Sequence, residues 1–87
     1  MAIITDITTE RNYQYKQQYC RIERVGATKA RMEIEMGVYE SQELAVSGGS
    51  PHRYEIVYGD FLLESELNPW QQGYAILKNR WPDAVDA

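Results

Sequence analysis

The longest regular pattern in the chain runs from Lys29 to Glu40, where Ala30, Met32, Ile34, Met36 and Val38 alternate with Arg31, Glu33, Glu35, Gly37 and Tyr39. A period of two over that length predicts a β-strand with one buried and one wetted face. Before it, Tyr13 to Val25 (YQYKQQYCRIERV) places Tyr13, Tyr15 and Tyr19 on one side and Cys20 with Ile22 on the other. Its inward side changes midway, as a β-bulge or a strand buried partly on both faces requires. Gly26-Ala27-Thr28 between the two runs predicts a short hairpin connection, and hence antiparallel partners. A third run, His52 to Phe61, alternates Tyr54, Ile56 and Tyr58 against Glu55 and Val57, and Ser47-Gly48-Gly49-Ser50-Pro51 ahead of it reads as a loop or hairpin tip. Fully extended, Lys29–Glu40 would span about 40 Å, while a globule of this chain length is about 30 Å across. The hairpin therefore either bends, with Gly37 as the natural bend, or protrudes.

The period changes after Asn68. Asn68 followed by Pro69 is a helix start, with Gln71 three residues on as a capping box requires. Trp70, Tyr74 and Leu77 then recur at helical spacing, with Trp81 one turn beyond Leu77, until Pro82 ends the run. Gly73 costs about 1 kcal/mol against alanine in a helix, which suits a position where helix and sheet approach closely. Ala2 to Thr9 carries Ile3, Ile4 and Ile7 without a clear period. The expected fold is α+β: residues 1–87 form a single domain, with a three- or four-stranded antiparallel sheet, a long hairpin and one C-terminal helix packed on it. Residues 1–10 are expected to be a docking arm or an edge strand.

Composition narrows the function classes. With 87 residues, 44% of them apolar, the chain fits one modest core and leaves little material to wall off a deep pocket, so a large enzyme active site is not expected. No apolar run approaches the roughly 18 to 20 residues needed to cross a bilayer, and the opening MAIITDITTE lacks the basic and apolar regions of a signal peptide. Neither a membrane protein nor a secretory precursor is expected. The single cysteine rules out an internal disulfide, and no Cys/His spacing suggests zinc.

The formal charge of -4 is unevenly spread. Residues 11–31 hold Arg11, Lys16, Arg21, Arg24, Lys29 and Arg31 against Glu23 alone, a local balance of +5, whereas residues 32–87 balance to -7. Binders of nucleic acid carry net positive domains, so that partner is not expected. Opposite charges in one small chain suit head-to-tail contact between copies, or they neutralise one another within the fold.

Catalytic constellations are thin. Glu33 and Glu35 point the same way from one strand, about 7 Å apart, as paired carboxylates of glycoside hydrolysis do, but a wetted strand face carries such pairs routinely. Cys20 reads as core rather than as the partner of His52, the only histidine. Gly48-Gly49 lacks the lysine and helix of a phosphate loop, and Asp60, Glu64 and Glu66 lack calcium-loop spacing. No cofactor, metal or small-molecule substrate is implied, and the chain is not expected to be an enzyme. Ten aromatic residues exceed what so small a core hides, and tyrosine carries binding energy at interfaces. Tyr13, Tyr15 and Tyr39, expected to be exposed, together with Arg21 and Arg31, are the candidate interface.

The C-terminal run QQGYAILKNRWPDAVDA, with Gln71 or Gln72, Tyr74, Leu77 and Lys78 in the helix, follows the opening MAIITDITTE and the strand hairpin. This layout resembles small structural proteins of the tail, baseplate or neck region of tailed bacteriophages. The resemblance implies a non-enzymatic component of a virion, assembled in the host cytoplasm, whose partners are copies of itself and neighbouring virion proteins. The alternative from the residues alone is a small acidic inhibitor or adaptor that binds one host or phage protein.

Overall fold

The computed structural model describes residues 2–28, 31–61 and 68–87. Strands β1 (Ile3–Thr8), β2 (Gln14–Thr28), β3 (Arg31–Tyr39), β4 (Arg53–Asp60) and β5 (Val85–Asp86) form an antiparallel sheet in the order β4-β3-β2-β1-β5. Helices α1 (Gln42–Val46) and α2 (Pro69–Arg80) complete the α+β architecture among the described residues. The sheet is larger than the three or four strands expected, because both ends of the chain join it. The N-terminal segment forms β1, paired with β2 along its length and with β5 at Ile3 and Ile4. Its Ile3 and Ile7 are fully buried, which gives this segment a core role that its irregular pattern hid.

Two bulges explain the shifting inward side of β2. Ile7 pairs with Tyr15 and Thr5 with Gln18, so Lys16 and Gln17 stand opposite Asp6 alone. Gln17 takes a positive φ of 51° there, and its N–H donates to the Asp6 carboxylate at 2.8 Å. That bond, with help from Lys16, holds the Asp6 carboxyl below its ordinary pKa. Farther along, Ile22 pairs with Met36 and Arg24 with Glu35, leaving Glu23 as the extra residue. Each bulge resets the alternation by one place. Tyr15, then Gln18, Cys20 and Ile22, then Val25 consequently all lie on one face, called the inner face below, opposite Ile3, Thr5 and Ile7 of β1 and Met36 and Ile34 of β3.

The inner face holds the core. Ile3, Ile7, Cys20, Met32, Ile34, Met36, Val38 and Leu77 are fully buried, with Ile22 and Tyr74 nearly so. Helix α2 lies on this face and starts as the sequence predicts: the Asn68 side chain accepts from Gln71 N–H at 2.9 Å while the Gln71 side chain accepts from Asn68 N–H at 3.0 Å. Its buried stripe begins at Gln72, Gly73 and Tyr74 rather than at Trp70, which is 47% exposed in the first turn. Two glycines set how closely helix and sheet approach. A Cβ on Gly73 would stand 2.8 Å from Ile22 Cδ1, and one on Gly59 of β4 would stand 2.5 to 3.0 Å from Cδ1, Cγ1 and Cγ2 of Ile76.

Other expectations are revised. The strands β2 and β3 pair through Thr28 opposite Arg31, so Gly26-Ala27-Thr28 belongs to β2 and is not the hairpin connection. Residues Lys29 and Ala30, expected at the start of the next strand, lie outside the described residues. Gly37 is not a bend: it keeps regular register between Arg21 and Tyr54, and the space a Cβ would need is taken by Glu23 Oε1 at 2.8 Å and the Tyr39 ring at 3.2 Å. The bulges in β2 carry the irregularity instead. Helix α1 has only five residues, too few for the sequence to show a helical period; it is capped by the Ser41 side chain, which accepts from Leu44 N–H at 3.2 Å.

Candidate functional site

The residues expected to make one interface lie in three places. Tyr13, 60% exposed in the connection between β1 and β2, packs edge-on against Tyr15 at 4.7 Å between ring centroids. Tyr15 is half-buried rather than exposed, because the first bulge turns it onto the inner face, where it meets the core and the His52 ring at 4.6 Å. Beside it, the buried Gln18 side chain spans Lys16 O at 2.9 Å and His52 Nε2 at 2.6 Å. Arg53 at the start of β4 pairs with Glu55 at 2.9 Å and with Glu10 at 3.4 Å. The inner face thus turns polar at this end, with every named group partnered.

Tyr39 is buried, contrary to the exposure expected for it, and it lies on the outer face with Arg21. Its hydroxyl donates to Glu23 and accepts from Arg21 Nη2 at 3.1 Å, while Arg21 Nε donates to Glu23 at 3.1 Å. The absent side chain at Gly37 gives the ring its place, and the Arg21 guanidinium stands 5.0 Å from its centroid. Burial, then the bond to Glu23, raises the Tyr39 hydroxyl above its ordinary pKa. Arg31 lies farther along the same face, 4.6 Å from the centroid of Tyr58.

The register of β2, β3 and β4 gives this outer face its layout. Its rows are Arg21–Gly37–Tyr54, Arg24–Glu35–Ile56, Gly26–Glu33–Tyr58 and Thr28–Arg31–Asp60. Over the first three rows β4 presents an aromatic and aliphatic column, β3 carries the two glutamates and β2 the two arginines, and the fourth row closes with Arg31 beside Asp60. Tyr54, Ile56 and Tyr58 are 53, 51 and 54% exposed, at consecutive outward positions of a strand whose second edge pairs with no other strand among the described residues. The opposite positions of β4, Arg53, Glu55, Val57 and Gly59, face inward, where Gly59 receives Ile76.

This exposed column is the surface feature that the sequence pattern did not single out. Both rows of β4 contain apolar residues, so period alone does not say which is buried. Gly59 is the signal that decides it: a glycine in line with Val57 marks the row over which a helix passes.

Charge is distributed differently from the sequence blocks. Lys16 pairs with Asp6 at 3.4 Å, Arg21 with Glu23 at 3.1 Å and Arg24 with Glu35 at 3.5 Å, so cations of the basic block meet acids within the sheet. Of these pairs, Arg24–Glu35 joins the basic block to the acidic one. Lys78 pairs with Asp86 at 2.5 Å and ties α2 to β5.

Residues weighed for chemistry are also placed. Cys20 is fully buried, its Sγ 3.7 Å from Gln18 O, and desolvation with a smaller push from Glu55 raises its thiol pKa to about 12. Such a thiol is protonated at neutral pH and is not a ready nucleophile. Glu35 is held by Arg24, while Glu33 is exposed beside it. Among the described residues no three acidic, histidine or cysteine side chains gather as metal ligands, and no helix is long and apolar enough to cross a membrane. Glu64 and Glu66 lie outside the described residues. The chain matches no protein-family model, no curated protein and no solved structure.

Proposed function

We propose that this protein is a non-enzymatic structural component that self-associates or docks into a larger assembly, and that the outer column of β4 is its contact surface. One observation carries the reading: three large side chains, each about half exposed, follow one another along an edge strand. Isolated exposed apolar residues are ordinary on a protein surface, but a contiguous group marks a place of association. Tyrosine suits such a place because it combines a large apolar ring with a polar tip. The resemblance of the sequence layout to tail, baseplate and neck proteins of tailed phages makes the virion the proposed assembly, with other copies and neighbouring virion proteins as partners.

The internal ion pairs alter the expected salt dependence. Association led by an apolar column survives added salt, whereas association between opposed charged surfaces weakens. Light scattering after size exclusion, at low and at about 0.5 M salt, tests this. The expected result is a mass at a multiple of 10.1 kDa under both conditions. A monomer at every concentration and salt overturns self-association and favours the small acidic inhibitor or adaptor.

A further inference from the structure

We infer that two copies of the chain pair antiparallel through the β4 edge that meets no other strand among the described residues, about a two-fold axis through Ile56, to make one continuous sheet. This pairing rests on the self-association proposed above and specifies its geometry. When two edges join antiparallel in one sheet, the two-fold axis stands perpendicular to it and the outer faces of both copies fall on the same side. Side chains directly opposite must then both point outward or both inward. The large outward residues of β4 read Tyr54, Ile56, Tyr58, symmetric about Ile56, with Asp60 beyond them at the end of the outward row. The axis sets Ile56 against Ile56 of the second copy and Tyr54 against Tyr58, so three cross-strand apolar pairs fill the centre of the joined face.

The inward positions accept the same register. Glu55 falls opposite Val57 and is already held by Arg53, while Arg53 falls opposite Gly59, which presents no side chain. The strand begins with Arg53 and ends with Asp60, on opposite faces of the sheet, so antiparallel pairing keeps like-charged ends apart, whereas in-register parallel pairing would set Arg53 against Arg53 and Asp60 against Asp60. Arg31, already over Tyr58, comes beside Tyr54 of the second copy. Half-exposed side chains of these sizes offer about 300 Å² per copy, below the roughly 800 Å² per partner of a standard stable interface. The pair is therefore expected to be weak and transient unless further copies join it.

Self-cross-linking tests the axis. Residues opposite one another in antiparallel strands have Cα atoms about 4.5 to 5.5 Å apart, within disulfide range. Under mild copper-phenanthroline oxidation, which traps even a transient pair as a disulfide, Ile56→Cys should accumulate mainly as a covalent dimer. Tyr54→Cys and Tyr58→Cys should each cross-link poorly alone and efficiently when differently tagged forms are mixed. The native Cys20 is buried and does not compete. Val46→Cys, on the exposed part of α1, measures collisional cross-linking and should give at least tenfold less dimer. Circular dichroism checks that each variant is folded, and light scattering of the unsubstituted protein is run beside them. An oligomeric mass with Ile56→Cys no better cross-linked than Val46→Cys overturns the β4 pairing and leaves self-association standing. A monomeric mass at every concentration, together with Ile56→Cys no better cross-linked than Val46→Cys, overturns both.

Discussion

The Tyr74 hydroxyl joins α2 to β2 next to the second bulge, where it accepts from Ile22 N–H at 3.1 Å. Both residues are nearly buried. Burial raises the Tyr74 hydroxyl above its ordinary pKa, although the bond from Ile22 opposes the shift. Tyr74→Phe keeps the ring and removes this acceptor, so the N–H is left without it away from water. The expected cost is about 1 to 2 kcal/mol, read as a lower urea midpoint with an unchanged slope. A variant as stable as the parent would show that the bulge finds another acceptor. At this scale the sequence is informative wherever one residue dictates its own setting. The Asn68 and Gln71 cap and the buried Cys20 were legible because each needs only local or intrinsic properties. Tyr39 was not, because its burial depends on Gly37, Glu23 and Arg21 gathering from two strands.

Between elements, the approach of α2 to the sheet depends on two glycines that differ in what surrounds them. Gly73 lies in the helix, where alanine would gain about 1 kcal/mol of intrinsic preference, and its added Cβ would press only on the tip of Ile22. Gly59 lies in β4, where its Cβ would meet three atoms of Ile76, including both carbons attached to that residue's own Cβ. The end of a side chain turns aside more readily than its base. Gly59→Ala is therefore expected to destabilise by about 1 to 3 kcal/mol, as overpacked cores do, and Gly73→Ala by clearly less. Denaturation of both variants checks the order, and equal losses would mean that the helix moves as a rigid body away from either. The strand periods and the C-terminal helix were legible because each repeats over several turns or pleats. The bulges were legible only as a conflict in β2, whose tyrosines and Cys20 could not share one face without them. The short β5 and α1 carry too few residues to show a period at all.

For the whole molecule, the shifted groups define a stability plateau with two different edges. Asp6 and Glu10 have carboxyl pKa values below their ordinary ones, Asp6 chiefly through Gln17 N–H and Glu10 through its own backbone N–H and then Arg53. Their stabilisation is present above the unfolded carboxyl range and is lost as pH falls through the lower folded values. Glu10 is well exposed and Asp6 partly so, so this acid edge is shallow and sensitive to salt. Cys20, Tyr39 and Tyr74 have the opposite sign, since burial favours the neutral, protonated form. Their contribution is complete below the unfolded pKa values and is lost as pH rises towards the folded ones. Cys20 acts first: the unfolded thiol titrates near 9.0 and the folded one at about 12, while an ordinary tyrosine titrates near 10.0. Stability should fall by about 1 kcal/mol between pH 9 and pH 10 from the thiol alone. Cys20→Ala removes the titrating group at the cost of a small cavity, so it should be less stable at pH 7 yet lose less over that interval. Urea midpoints at pH 7, 9 and 10 separate the two effects. If parent and variant fall in parallel, the alkaline edge belongs to the tyrosines and to charge repulsion, and the core between β1, β2 and β3 admits water more freely than the burial of Ile3, Cys20 and Val38 requires.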